Sequence, residues 1–290
     1  MLYKKLGKSD MNVSVLGYGA WALGEDGWGG INLDEAYKTI NLAIKSGINF
    51  FDTAPIYGMG KSEERIGELL KEIRKDIYIA TKCGLLWNEN KEVRIDNSRD
   101  AIMYDIEKSL KRLKTDYIDL YQIHWPDNKT PLKESFTALN ELKEQNIIRN
   151  IGVCNFSLEQ LKEGLEYSEI VSLQNQYNLL QNSIEEKIMP FCEKNKISII
   201  PYSPLAQGML SGKIDENYQL KPGDIREHNP LFNNKDNFEK AIKKIKELPK
   251  PLSHTAIQYL IDKSSVGTVI FSVTKRNHLE ENLKALKKYM

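Results

Sequence analysis

Short apolar runs alternate along this chain with longer stretches in which apolar residues recur every three or four positions. The runs read as strands: Val13–Leu16, Ile48–Phe51, Ile77–Ala80, Tyr117–Ile123, Ile148–Val153, Val171–Leu173, Ile197–Pro201 and Gly267–Phe271. The stretches between them read as helices: Asp34–Lys45, Ser62–Ile73, Ser98–Leu113, Leu132–Glu144, Leu158–Tyr167, Ile184–Lys194, Ala256–Asp262 and a last one near His278–Lys287. In the second helix Ile66, Leu69, Leu70 and Ile73 form one face and Glu63, Glu64 and Lys71 the other, with Ser62 as N-cap. Strands of this near-continuous apolar kind are buried on both sides, which calls for helices packed over a parallel sheet.

Eight such units in 290 residues predict an α/β fold, a closed (β/α)8 TIM barrel, a fold that typically takes about 250 residues. An open doubly wound sheet is the rival architecture. Before the first strand, MLYKKLGKSDMNVSVLGYG alternates polar and apolar residues around GKSD, as a short N-terminal β-hairpin does. No repeat, low-complexity tract or linker divides the chain, so residues 1–290 read as a single domain. A polar stretch from Gln207 to Asn234 is too long for an ordinary connection. Its place after the seventh strand sets it over the barrel mouth, as a lid.

Asp52, Tyr57, Lys82 and His124 fall at or just past the carboxyl ends of three successive strands. In a closed barrel those ends share the face that carries the chemistry. Singly, each has a bland reading: a turn anchor, a loop aromatic, a strand-end lysine, a core histidine. Together they suit proton transfer to a carbonyl oxygen. A free phenol titrates near ~10; a neighbouring ammonium lowers that value, and a carboxylate holds the ammonium charged. An imidazole then orients the carbonyl by hydrogen bond.

Composition narrows the alternatives. A chain that is 41% hydrophobic and 28% charged, with formal net charge +1, is an ordinary globular one with no call for nucleic acid or a membrane surface. No apolar run approaches the roughly 20 residues of a membrane span, and the start lacks a signal-peptide core, so the expected location is cytoplasmic. Cys83, Cys154 and Cys192 lie far apart and read as free thiols, and the four histidines have no ligand spacing, so no metal is expected. Gly17-Tyr18-Gly19-Ala20-Trp21-Ala22 matches the dinucleotide fingerprint in form, yet the following Leu-Gly-Glu-Asp-Gly cannot start the helix that fingerprint needs. What remains is a glycine-rich first loop in which Trp21 and Trp28 can flank a planar ligand.

GINFFDTAPIYGMGKSEERIGELL, IATKCG and DYIDLYQIHWPD resemble, in order, the aspartate–tyrosine, lysine and histidine segments of the aldo-keto reductase superfamily. IRNIGVCNFS, SLQNQYNLL and IIPYSPLAQGMLSGK are similar to its cofactor-binding segments. The resemblance implies a barrel that binds NADP(H) without a Rossmann motif, with Tyr57 as general acid, Lys82 and Asp52 as its tuning pair and His124 orienting the carbonyl. It implies that Asn155 and Gln174 hold the nicotinamide carboxamide and that Tyr202 stacks on the ring. Ser203, Leu205, Leu210, Ser211 and Lys213 follow towards the pyrophosphate, and Glu281 and Asn282 reach the adenine. Two departures stand out: Cys154 replaces the usual serine, and Phe271 to His278 lacks the usual Ile-Pro-Gly-basic pattern at the 2′-phosphate. Ser272, Thr274 and His278, with Lys275 and Arg276, are left to serve there. Trp21, Trp87 and Trp125 are expected to wall the substrate pocket. The implied activity is NADP(H)-dependent reduction of a small-molecule aldehyde or ketone. A regulatory subunit that binds the cofactor with little turnover, and a Schiff-base aldolase using Lys82, are the rival classes.

Overall fold

The structure, a computed structural model, describes every residue except 26–29, 221–222 and 290; Trp28 therefore lies outside the described residues. A hairpin of β1 (Tyr3–Lys5) and β2 (Asn12–Ser14) precedes β3 (Leu16–Gly19), α1 (Leu33–Lys45), β4 (Phe50–Asp52), α2 (Lys61–Leu70) and β5 (Tyr78–Cys83). A second hairpin, β6 (Leu85–Trp87) and β7 (Val93–Ile95), leads to α3 (Arg99–Leu113), β8 (Ile118–Ile123), α4 (Leu132–Glu144), β9 (Ile148–Cys154), α5 (Leu158–Tyr167) and β10 (Ser172–Gln176). Then come α6 (Ile188–Asn195), β11 (Ser198–Tyr202), α7 (Pro230–Asn233), α8 (Lys235–Lys246), α9 (Leu252–Ile261), β12 (Val269–Phe271) and α10 (Arg276–Lys284).

Eight of the strands form one parallel sheet in the order β11-β10-β9-β8-β5-β4-β3-β12. The two ends of that order meet. The Ile199 N–H donates to the Ser265 carbonyl at 2.7 Å and the Gly267 N–H to the Ile199 carbonyl at 3.0 Å. The sheet is thus a (β/α)8 barrel, and β1 and β2 are the expected N-terminal hairpin. Leu6, Met11 and Val13 from the hairpin pack against Phe50, Ala80, Leu120, Ile200 and Ile270 inside the barrel. The hairpin is the barrel's floor. The larger apolar core lies outside the strands, where it joins them to the helices. Among the described residues no helix is long and apolar enough to cross a membrane.

Several elements depart from the sequence reading. The first barrel strand is Leu16–Gly19; Val13 belongs to the floor hairpin, opposite Lys4. Both segments are apolar because both are enclosed, so pattern alone merges them. Ile184–Lys194 divides into a turn at Ser183–Glu185 and α6, which begins at Ile188 so that Pro190, lacking an N–H, falls in its first turn. α8 has no counterpart among the predicted helices, although Phe238, Ala241, Ile242 and Ile245 recur at helical spacing beneath a lysine-rich outer face. The first residue of α2 follows Gly60, at φ +98°, rather than Ser62. Ser62 is buried and donates to the Ala20 carbonyl at 2.8 Å.

Glu63 is also turned inward. Its carboxylate accepts from Thr81 Oγ1 at 2.6 Å and from Arg112 Nε at 2.7 Å, between α2, α3 and the outer side of β5. Arg112 makes that burial tolerable, which the helical period of α2 alone does not reveal. Nearby, the buried Asp105 carboxylate accepts the Gly84 N–H at 2.8 Å. Burial pushes Asp105 up to about 7, against the pull of that hydrogen bond and with Glu63 adding to the rise. Only the folded state then holds the proton between the ordinary carboxyl value of 3.8 and about 7, so stability falls as pH rises through that window. Asp105→Asn keeps an acceptor for Gly84 and should remove the fall. Urea unfolding should find the variant more stable at pH 8, by on the order of 1–3 kcal/mol, with the gap closing towards pH 5.

Candidate active site

Side chains alternate across a strand, so residues two apart share a face. Phe50, Ala80, Leu120 and Ile200 fill the barrel interior, and the next inward positions on the same strands are Asp52, Lys82, Gln122 and Tyr202. One step further, just past β8, stands His124. An apolar floor is thus overlain by a polar layer at the carboxyl ends of the strands.

Lys82 is wholly buried, 0% exposed, and Asp52 is 2% exposed. Lys82 Nζ donates to Asp52 Oδ1 at 2.8 Å, to the Thr53 carbonyl at 2.8 Å and to Tyr57 Oη at 3.3 Å. The other carboxylate oxygen, Asp52 Oδ2, accepts from Gln174 Nε2 at 2.8 Å and Gln122 Nε2 at 3.4 Å. Burial works against the ammonium, but Asp52 and then Tyr57 more than offset it, and the Lys82 pKa lies above its ordinary value.

Tyr57 reaches this layer from the loop after β4. Its ring stands edge-on to His124, centroids 5.9 Å apart, and stacks on Trp21 at 6.1 Å. The two loops that carry Trp21 and Tyr57 touch through glycine backbones. A Cβ on Gly24 would lie 2.6 Å from the Gly58 nitrogen, and one on Gly58, at φ +65°, 2.3 Å from the Gly24 carbonyl oxygen. Arg65 fastens the pair, donating to the Leu23 carbonyl and, at 2.8 Å, to Glu25. Among the described residues of this first loop, a 3-10 turn spans Trp21–Gly24 and no α-helix precedes α1, which starts at Leu33.

The expectation that Lys82 brings the phenol below its ordinary value is corrected. Burial pushes Tyr57 up to about 12, and the pull of Lys82 only moderates that rise. His124 is held well below 6.5 by burial first and Lys82 second, so its imidazole is neutral. The four groups are therefore a cation, a carboxylate, a protonated phenol and a neutral imidazole.

From this mouth a groove of about 590 Å³ runs between the segment after β11 and the start of α10. Ser203, Leu205, Ser211, Lys213, Ser272, His278, Glu281 and Asn282 all line it. Asn155 stands at the mouth, donating to the His124 carbonyl at 3.1 Å and accepting from the Tyr202 hydroxyl at 2.9 Å. The side chain of Leu210 is wholly buried with Met209 and Ala206 in a satellite core, leaving only its backbone to meet a ligand. Thr274 is half-buried, its carbonyl accepting from the Thr39 hydroxyl at 3.3 Å. Trp87 lies under the Arg112 guanidinium, 5.9 Å from its ring, and Trp125 is 42% exposed.

Gln207, Tyr218, Arg226 and Ser253 also line the groove and were not foreseen. Arg226 is gripped at both ends of its fork by Asp224, at 2.8 and 2.6 Å, a pairing that the D-x-R spacing makes visible in retrospect.

The groove suits an anionic, base-bearing ligand on two observations. Lys213 Nζ lies 3.1 Å from His278 Nε2 and makes no ion pair with the described residues. His278 is kept below its ordinary pKa by burial, Lys213 and Lys275, so it accepts from Lys213 and leaves the ammonium for an anion. One turn further along α10, Asn282 Nδ2 is buried with no hydrogen-bond partner among the described residues. A nicotinamide dinucleotide supplies phosphates for the first and a base edge for the second.

Comparison with known proteins agrees with this geometry. The sequence model described as "Aldo/keto reductase family" matches residues 15–289. The chain is 36% identical to the aldo-keto reductase YhdN of Bacillus subtilis (strain 168), over 97% of this chain and 87% of that protein. It is 33% identical to an NADH-specific methylglyoxal reductase of Escherichia coli (strain K12), over 97% and 92%. The solved glycerol dehydrogenase of Gluconobacter oxydans superposes with a TM-score of 0.89 at 34% identity, covering 98% of this chain and 90% of its own.

Proposed function

This chain belongs to the aldo/keto reductase family, and from that premise we propose that it is an NADP(H)-dependent oxidoreductase that reduces an aldehyde or ketone to an alcohol. The observation that carries this reading is the contact of the buried Lys82 ammonium with both Asp52 and the Tyr57 hydroxyl. When bound, the reduced nicotinamide supplies a hydride. Tyr57 Oη gives its proton to the carbonyl oxygen as negative charge gathers there. An alkoxide is far more basic than a phenolate, so a phenol near 12 remains a competent donor. Lys82, 3.3 Å away, then stabilises the phenolate left behind. The neutral His124 offers an N–H to the same oxygen, and Trp21 screens the phenol from water. Trp21, Trp87 and Trp125 are the proposed walls for the substrate.

In this reading Asn155 and Gln174 hold the carboxamide and Tyr202 covers the ring. Ser203, Leu205, Ser211, Lys213 and the Leu210 backbone serve the pyrophosphate, and Glu281 with Asn282 the adenine. Residues 1–290 act as one domain, since the floor hairpin closes the same barrel that carries the site. A regulatory subunit would need the groove but not the four groups. A Schiff-base lysine must lose its proton, whereas Asp52 and Tyr57 keep Lys82 charged.

Tyr57→Phe keeps the ring and removes the proton. Turnover with NADPH and an aldehyde should fall by at least about 10², the low end for loss of a general acid, while nucleotide affinity stays within a few-fold. A variant that reduces aldehydes at the wild-type rate would sink the assignment.

The NADP(H) preference rests on the loop from Ser272 to His278. Lys275 is exposed at the start of α10 and makes no ion pair with the described residues, whereas Arg276 is tied to Glu280 at 2.7 Å. Ser272, Thr274 and His278 complete the proposed 2′-phosphate seat. Tryptophan-fluorescence titration should find NADPH bound more tightly than NADH by about 1–3 kcal/mol, the range for one or two charge-assisted contacts. Lys275→Ala, Arg276→Ala should erase most of that difference, chiefly through Lys275. Equal wild-type affinities would defeat the NADP(H) preference while leaving the reductase reading standing.

A further inference from the structure

His254, on α9, has no part in the chemistry above, yet it reaches the groove through another residue. Its side chain is 19% exposed, and Nε2 stands 2.8 Å from Glu281 Oε1 and 3.1 Å from the Glu281 carbonyl oxygen. A ring nitrogen between two oxygens must carry the proton, so Nε2–H is a donor shared by both. Lys284 Nζ takes the other carboxylate oxygen at 3.1 Å. The carboxylate is therefore held from two sides, by α9 and by the next turn of its own helix. Lys284 most of all, with a smaller share from His254, keeps it below its ordinary pKa and ionised.

Beside this fixed acceptor lies the orphaned donor Asn282 Nδ2. An acceptor next to a donor complements an edge that offers an amine next to a ring nitrogen, the pattern of adenine N6 and N7. Hypoxanthine carries a carbonyl in place of the amine and would set its oxygen against the Glu281 carboxylate.

We propose that His254 is a positioning residue for base recognition, which holds Glu281 as a fixed acceptor and so makes the groove select adenine over a base without the exocyclic amine. The inference rests on the nucleotide-binding reading above. It explains why a half-buried imidazole on α9 directs its Nε2–H at a carboxylate that lines the groove.

The test is fluorescence titration with NADPH and with its hypoxanthine analogue, in wild type, His254→Leu and His254→Gln, with thermal unfolding to establish that each variant is folded. Wild type should prefer the adenine form by about tenfold, the worth of one hydrogen bond to a charged group. His254→Leu should reduce the ratio to within about threefold, and His254→Gln, which restores an N–H donor, should recover most of it. A ratio unchanged in His254→Leu overturns the proposal, as does a wild type without preference, which needs no variant to be seen. In both cases the nucleotide reading stands. Failure of NADPH itself to bind the wild type would overturn that reading and this inference with it.

Discussion

The site depends on one costly arrangement, an ammonium and a carboxylate buried together at the mouth of the barrel. Taking two charges out of water costs several kcal/mol per ion, and their attraction offsets this only when the remaining donors and acceptors are also satisfied. Lys82 meets that condition with Asp52, the Thr53 carbonyl and the Tyr57 hydroxyl. Asp52 meets it with two glutamine amides from β8 and β10. The pair thus ties β4, β5, β8 and β10 together and fixes the direction in which the ammonium faces. Tyr57 acquires its character from that direction, protonated at neutral pH because it is buried, yet within reach of a cation that accepts its conjugate base.

Everything above the apolar floor serves to keep this pair oriented. The floor hairpin covers the bottom of the barrel with the buried side chains of Leu6, Met11 and Val13. On the outer side of β5, Thr81, next to Lys82 in sequence, is held by Glu63, and just past the end of the strand Gly84 is held by Asp105. The loops of Trp21 and Tyr57 approach as closely as they do because Gly24 and Gly58 carry no Cβ. The groove begins at Ser203, the residue that follows the inward-facing Tyr202 at the end of β11.

The barrel was legible from its apolar runs alternating with helical stretches, and its four polar groups because each falls at or just past the carboxyl end of such a run, the end that meets the mouth of a closed barrel. Asp52, Tyr57, Lys82 and His124 were all found this way. Features that depend on a partner from elsewhere in the chain were not legible. Glu63 looks solvent-facing on its own helix until Arg112 arrives from α3. Val13 looks like barrel because the floor hairpin is as enclosed as the strands. The phenol pKa was misjudged for a related reason: charge proximity is visible in sequence, whereas the depth of burial that outweighs it is a property of the closed barrel. Most groove residues came from resemblance rather than pattern, and Leu210 shows its limit, since a residue in the right segment can turn its side chain into the core.

In the proposed mechanism Lys82 acts on Tyr57 through its charge. Alcohol oxidation needs the phenolate, so its pH–rate profile reports the phenol directly. Lys82→Met removes the cation while keeping an unbranched side chain of similar length in the barrel. With the cation gone, the ionisation that governs oxidation should move to higher pH, because nothing then offsets the burial of Tyr57. A profile in the folded variant that does not move from that of the wild type would contradict the account and leave Lys82 as a strand-end lysine with a structural role only.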